Sequence, residues 1–252
     1  MNHKQQVVDF LKSFETGGDG AFAKINPDKY IQHNLRVGDG IEGLRELIQR
    51  IPKGTAKIYI ARVFQDGDFV FTHSEYQQSG SRVGFDIFRF ENDKIVEHWD
   101  NLQVKAEKPN PSGHTMTDGP ATAIDLDKTG VNKNLMKSYM DDLLKGRREK
   151  FASYFDGNNY IQHSPLVADN LTGLFAGLQE LAKQGLAVKY DKVHMVLGEG
   201  NFVLVVAEGS FGDKVSAYYD LYRIQNGKIA EHWDTIEQIP PRADWKNSNG
   251  KF

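Results

Sequence analysis

The segment YIQHN at 30–34 returns as YIQHS at 160–164, 130 positions later, and GFDIFRFENDKIVEHWD at 84–100 aligns with YYDLYRIQNGKIAEHWD at 218–234 at a spacing of 134. Nine of the 17 positions in the longer pair are identical, among them Asp86/Asp220, Arg89/Arg223, His98/His232, Trp99/Trp233 and Asp100/Asp234. In the intervening stretch, IEGLRELI (41–48) matches LTGLFAGL (171–178) and DFVFTHSE (68–75) matches NFVLVVAE (201–208). A period this long exceeds any solenoid repeat, so each copy is a whole domain with its own core. The expected organisation is a first domain over 1–105, a linker over 106–130 and a second domain over 131–252. The run AEKPNPSGHTMTDGPATA (106–123), rich in Pro, Gly, Ser and Thr, marks the connection.

Periodicity sketches each copy. Val7, Phe10, Leu11 and Phe14 repeat at helical spacing, as do Met136, Tyr139, Met140 and Leu143, so an amphipathic helix opens each domain. GGDG (17–20) ends the first of these, and Leu44, Leu47, Ile48 and Ile51 form a second helix stopped by Pro52 and Gly54. The pattern then changes to β-branched and aromatic alternation through KIYIARVF, DFVFTHSEY, RVGFDIFRF and KIVEHWDNL, separated by turn residues. Helices followed by a run of antiparallel strands define an α+β domain whose sheet curls over the helices, with a pocket where the two layers fail to touch.

The charge balance, 31 basic against 34 acidic residues without a single-sign block, excludes a dedicated nucleic-acid binder. No apolar run is long enough for a membrane span or signal sequence, so the chain is expected to stay in the cytosol with no membrane partner. The absence of Cys removes disulfides, thiolate metal sites and a Cys nucleophile. The glycine-rich segments lack phosphate-binding fingerprints, and no His pair has tight ligand spacing, so neither cofactor nor metal is expected. LLKGRREK (143–150) reads as a basic helix end that complements the helix dipole.

The unusual feature is repeated polar residues inside apolar strands. Asp86 and Asp220 sit among aromatics, where a carboxylate is either paired or raised in pKa. On a strand, His98 and Asp100 share one face while Glu97 and Trp99 share the other. A two-residue Asn92-Asp93 loop sets Asp86 opposite Trp99, whereas a three-residue Glu91-Asn92-Asp93 loop sets it opposite His98. Gly227 in the second copy favours the longer, bulged loop. Asp86, His98 and Asp100, with Asp220, His232 and Asp234, are then candidate acid–base clusters, since neighbouring carboxylates and a His drive pKa values apart. The bland alternative is exposed alternation on an outer strand face. His33 and His163 are candidates because their tetrapeptide recurs. Taken singly, such a His is more often a hydrogen-bonding residue. His73, whose counterpart is Val206, could serve the first copy alone. Phe85, Phe88, Trp99, Tyr219, Tyr222 and Trp233 point to an apolar, ring-bearing ligand, or simply to core.

Together YIQHN, the hairpin ending in EHWD, and the tails NPSGHTMTDGP and NSNGKF resemble the SnoaL-like polyketide cyclases, in particular their predicted aldol-condensation branch within the nuclear-transport-factor-2-like superfamily. The resemblance spans both halves of the chain. It implies two tandem cone-shaped α+β barrels, each with N-terminal helices on a curved, mostly antiparallel sheet. It further implies a cofactor-free pocket and an Asp on the last strand as general base, here Asp100 and Asp234. Family members often carry a His where this chain has Asp86 and Asp220, which leaves His33 or His98 as alternative proton donors. Such domains also pair through their sheets, so the two copies are expected to form an internal pseudo-dimer, with linker residues reaching across and further homo-oligomers open. The expected reaction is enolisation of a small apolar carbonyl compound followed by intramolecular aldol closure or isomerisation. The alternatives are a binding module for a hydrophobic ligand and, less favoured, an epoxide hydrolase using paired Asp with Arg62 or Arg89. The fold alone does not choose among these.

Overall fold

The computed structural model describes residues 2–78 and 80–252. Contacts divide the chain into two units. One comprises the residues up to Lys105 together with Pro240–Phe252, and the other is Ala106–Ile239. The two runs that the sequence presents as connection and tail are thus integral parts of the units.

In the first unit α1 (His3–Ser13) and α2 (Gly40–Gln49) pack on a sheet of β1 (Ile31–Gln32), β2 (Lys57–Asp66), β3 (Phe69–Gln77), β4 (Ser81–Glu91) and β5 (Lys94–Val104). The sheet order is β1-β5-β4-β3-β2, a meander with one short parallel strand added against β5. The second unit repeats it: α3 (Thr129–Leu144), β6 (Ile161–Gln162), α4 (Asn170–Lys183), β7 (Val188–Glu199), β8 (Phe202–Phe211), β9 (Lys214–Gln225) and β10 (Lys228–Gln238), ordered β6-β10-β9-β8-β7. Both sheets are open; no strand pairing among the described residues closes a barrel. The α+β class and the tandem organisation of similar sheets are therefore observed.

The apolar stripes named above make the cores. Val7, Phe10 and Leu11 of α1 and Leu44 and Ile48 of α2 meet Val70, Phe88 and Phe90 of the sheet, while Met136, Tyr139 and Met140 of α3 meet Val203, Val205 and Tyr222. YIQH, in contrast, is the short strand: β1 pairs in parallel with β5 at Ile31–Glu97 and Gln32–His98, and β6 pairs likewise with β10. Consecutive side chains therefore alternate, with Gln32 and His33 on opposite faces.

The hairpin differs from the favoured three-residue loop. Asn92 and Asp93 form a two-residue turn with φ of 48° and 60°, and Asn226-Gly227 repeats it at 51° and 72°. Two positive φ values are what a primed hairpin turn requires, and Gly227 fits its second position. The bulge lies one pair further in, at Val96 and Ala230, so Asp86 faces Asp100 and Asp220 faces Asp234.

The supposed linker is ordered structure. Asn110 donates from Nδ2 to the carbonyls of Gln162 (2.6 Å) and Val167 (3.0 Å), and its Oδ1 accepts from the backbone of Ser112 and His114. In the first unit Asn247 plays the equivalent part, donating to the carbonyls of Asn34 (2.8 Å) and Val37 (2.9 Å). Both asparagines are buried, so truncation strands two carbonyls each time. Asn110→Ala and Asn247→Ala are each expected to destabilise the chain by about 1–3 kcal/mol, measured by urea denaturation; values within about 0.5 kcal/mol of wild type would mean that these segments are not integral.

Candidate functional site

Each unit holds a cavity lined by residues of its helices and its sheet, and members of the predicted Asp/His cluster are among them. In the first unit the cavity is about 160 Å³ and is lined by Phe10, Leu44, Ile58 and Tyr76, with Asp86, His98 and Asp100 as its polar wall. In the second it is about 230 Å³, lined by Leu174, Leu178, Val188, Tyr190 and Tyr222 with His232 and Asp234. Since a cavity of about 150 Å³ holds one benzene ring, both are of single-ring scale.

A histidine organises each wall. His98 Nε2 lies 3.1 Å from Asp86 Oδ1, and Nδ1 lies 3.1 Å from Gln32 Oε1; His232 repeats this with Asp220 at 3.0 Å and Gln162 at 3.0 Å. Gln32 and Gln162 in turn donate to the hydroxyls of Tyr30 and Tyr160. The first two polar positions of the repeated YIQH motif thus belong to the site. Alternation along the strand was the signal that would have found them. Tyr76 donates to Asp86 in the first unit and Tyr190 to Asp220 in the second, the latter at 3.1 Å. Because Asp86 and Asp220 are already bonded to a His and a Tyr, they serve to hold the imidazoles in place.

Asp100 and Asp234 differ in their surroundings. Asn34 Nδ2 donates to Asp100 Oδ2 at 2.6 Å, and the buried Lys251 Nζ lies 3.7 Å from Oδ1. At Asn34's position the second unit has Ser164, whose side chain hydrogen-bonds Asp234. Asp100 Oδ1 and Asp234 Oδ1 are alike in being buried without a hydrogen bond among the described residues. Burial is the main force lifting the Asp234 carboxyl to about 6; His232 pulls it down, and the charge of Asp220 adds to the rise. Burial first, then Asp220, also pushes the hydroxyls of Tyr139, Tyr190 and Tyr222 upward, so they remain donors at neutral pH. Sequence reasoning missed Tyr139 and Tyr190, which lie outside the near-identical segments.

Several predicted residues lie elsewhere. His33 and His163 point to the opposite sheet face, where they stack on Trp99 and Trp233 with centroids 4.6 Å apart and hydrogen-bond Glu97 and Glu231 at 2.9 and 2.8 Å. Burial alone would raise these two glutamates, but the bonds from His33 and Arg89, and from His163 and Arg223, hold both below the usual range. Trp99, Trp233, His33 and His163 are therefore parts of a buried polar latch and are not cavity residues. His73 shares that face, stacked on Phe85 at 4.2 Å with Arg62 at 3.0 Å. Phe88 is on the cavity side but lies fully buried behind His98. Tyr222 alone of the proposed ligand-contacting residues lines a cavity, stacked on His232. Neither Arg62 nor Arg89 lines one, which removes the arginine that epoxide opening was expected to use.

With this geometry in view, residues 7–98 match the family model described as SnoaL-like domain. The first unit is thus similar to a SnoaL-like domain over those residues, and the second repeats its sheet order and its site. No curated protein sequence matches the chain. Solved structures similar to it include TsrD from Streptomyces laurentii, 23% identical over 39% of this chain and 86% of that one, with a TM-score of 0.35. IdmH from Streptomyces antibioticus, described as a candidate polyketide cyclase, is 18% identical over 41% and 93%, at a TM-score of 0.35. An NTF2-like protein from Burkholderia xenovorans is 17% identical over 42% and 87%, at 0.37. No helix among the described residues is long and apolar enough to cross a membrane.

The raised Asp234 gives a signed pH dependence. Its folded value near 6 exceeds the ordinary 3.8, so the folded chain binds a proton that the unfolded chain has lost. The stabilisation is complete below about pH 4 and disappears as pH rises through 6, a loss on the order of 2–3 kcal/mol. Asp234→Asn is expected to flatten the stability profile between about pH 4 and 7; an unchanged slope in denaturant titrations across that range would show that Asp234 titrates normally.

Proposed function

We propose that the chain is a cofactor-independent acid–base enzyme that enolises a small apolar carbonyl compound in the second unit's cavity, leading to intramolecular aldol closure or isomerisation. The observation that carries this reading is Asp234: a carboxyl lifted to about 6, with one oxygen unbonded, on the wall of a mostly apolar cavity. A base that titrates close to neutral pH combines a large ionised fraction with useful basicity.

In the proposed step Asp234 takes a proton from the carbon next to the substrate carbonyl, and the electron pair of that C–H bond moves into the enolate. A tyrosine O–H on the cavity wall, from Tyr139 or Tyr222, donates to the enolate oxygen. Both hydroxyls stay protonated because burial disfavours their anions. The enolate carbon then either attacks a second carbonyl, whose oxygen receives the proton from Asp234, or is reprotonated at another carbon. His232, fixed between Asp220 and Gln162, keeps a polar edge beside Asp234.

For the first unit a binding role is the better reading. Asp100 is held by Asn34 and approached by Lys251, so it is placed as a fixed hydrogen-bond acceptor.

The test is deuterium exchange at the α-carbon of a ring ketone such as 2-tetralone in D2O. The wild-type chain is expected to accelerate exchange, Asp234→Asn to lose about 10²–10⁴ of that acceleration, and Asp100→Asn to retain most of it. Full acceleration in Asp234→Asn would refute the assigned base, and no acceleration by the wild type would favour binding alone.

A further inference from the structure

The segment NPSGHTMTDGP recurs in part as NSNGKF in the tail, yet nothing in the proposed reaction uses it. In the second unit it folds over the face opposite the cavity and brings His114 and Asp118 to His163. One ligand atom from each of these three lies within 4.8 Å of the other two. Asp118 Oδ1 is 2.7 Å from His163 Nδ1, and Asp118 Oδ2 is 3.9 Å from His114 Nδ1. The carbonyl of Thr115 also faces His163 Nδ1 at 2.9 Å.

The far nitrogen of each imidazole is held by a carboxylate. Glu231 Oε1 lies 2.8 Å from His163 Nε2, and Asp169 Oδ2 lies 3.1 Å from His114 Nε2. Carboxylates on the outer nitrogens are the usual supports of metal-binding imidazoles, because they fix the ring and make the inner nitrogen more basic. The supports are themselves anchored: Asp169 Oδ1 accepts from the backbone of Gln162 and Arg223 donates to Glu231. The loop is fixed at both ends, by Asn110 and by Trp233, whose Nε1 donates to the carbonyl of Asp118 at 2.9 Å.

We propose that His114, Asp118 and His163 form a divalent-cation site on the second unit, with Glu231 and Asp169 orienting the two imidazoles. Two imidazole nitrogens and one carboxylate are a donor set for borderline cations of the Zn2+ and Co2+ class. His163 is buried while His114 and Asp118 are partly open, so the remaining coordination positions face solvent and the ion is exchangeable. The first unit provides an internal contrast. Asn110 and Gly113 align with Asn247 and Gly250, and His33 bonds the carbonyl of Gly250 as His163 bonds that of Thr115, but Lys251 stands where the second unit has His114. Lys251 supplies no imidazole and its ammonium lies at Asp100, 3.7 Å from Oδ1, so the first unit lacks one of the three donors and one site of this kind per chain is expected. The site is separate from the cavity, and its test does not depend on the reaction proposed above.

The full chain, freed of metal with a chelator, is titrated with Co2+ and followed by calorimetry and visible absorption. One ion per chain is expected, with a ligand-field band characteristic of nitrogen coordination. His114→Gln and Asp118→Asn are each expected to weaken binding by at least about tenfold, and Asp169→Asn by about 10–100-fold. Paramagnetic broadening in NMR spectra of the wild-type chain should be confined to residues 110–118, 161–169 and 229–233, a readout that needs no variant to fold. Absence of binding up to about 1 mM Co2+, equal binding by His114→Gln and Asp118→Asn, or broadening centred elsewhere would each overturn the proposal.

Discussion

A histidine clamped between a carboxylate and an amide deep in each unit is the interaction on which the rest depends. His98 joins Asp86 of β4 to Gln32 of β1, and His232 joins Asp220 of β9 to Gln162 of β6. A strand of two residues has little pairing energy of its own, so the side-chain bridge supplements its attachment to the sheet. The same bridge satisfies the buried carboxylate, without which burial of Asp86 or Asp220 would carry a large desolvation cost. It also requires the register set by the bulges at Val96 and Ala230, because a one-residue slip would turn every side chain of the strand to the other face.

Around this common frame the two cavities diverge through few residues. Asn34 and Lys251 engage the carboxylate of Asp100, whereas Asp234 has Ser164 and lies in a larger cavity ringed by tyrosines. Duplication fits this outcome: one scaffold is retained twice, and the chemistry of one end-wall changes by altering its neighbours while the Asp itself stays. The opposite face carries a second repeated device, the His33–Glu97–Arg89 and His163–Glu231–Arg223 latches, in which an imidazole lies on a tryptophan.

Much of this was legible in the residues. The repeat gave the two units, the change from helical to alternating periodicity gave the layer order, and parity along EHWD placed His98 with Asp100. What escaped was non-local. The hairpin loop alone could not locate a bulge at Val96, since bulge position is decided by which side chains the sheet must bury, and the turn residues suit more than one register. His33 and His163 stand out because their tetrapeptide recurs; once YIQH is a strand, alternation sends the Gln to the cavity and the His away. The segment 106–123 looked like a linker because its turn-forming residues resemble a flexible connection. Those turns instead let Asn110 cap buried carbonyls and bring His114 and Asp118 to His163 across 49 and 45 residues of sequence.

The central claim is that the second unit's fold makes Asp234 a base suited to neutral pH. Carbon-13 NMR of the side-chain carboxyl, assigned by comparison with Asp234→Asn and followed from acid to neutral pH, reads that property without any substrate. A titration midpoint near 6 is the predicted result; a midpoint at the ordinary aspartate value near 3.8 would contradict the account.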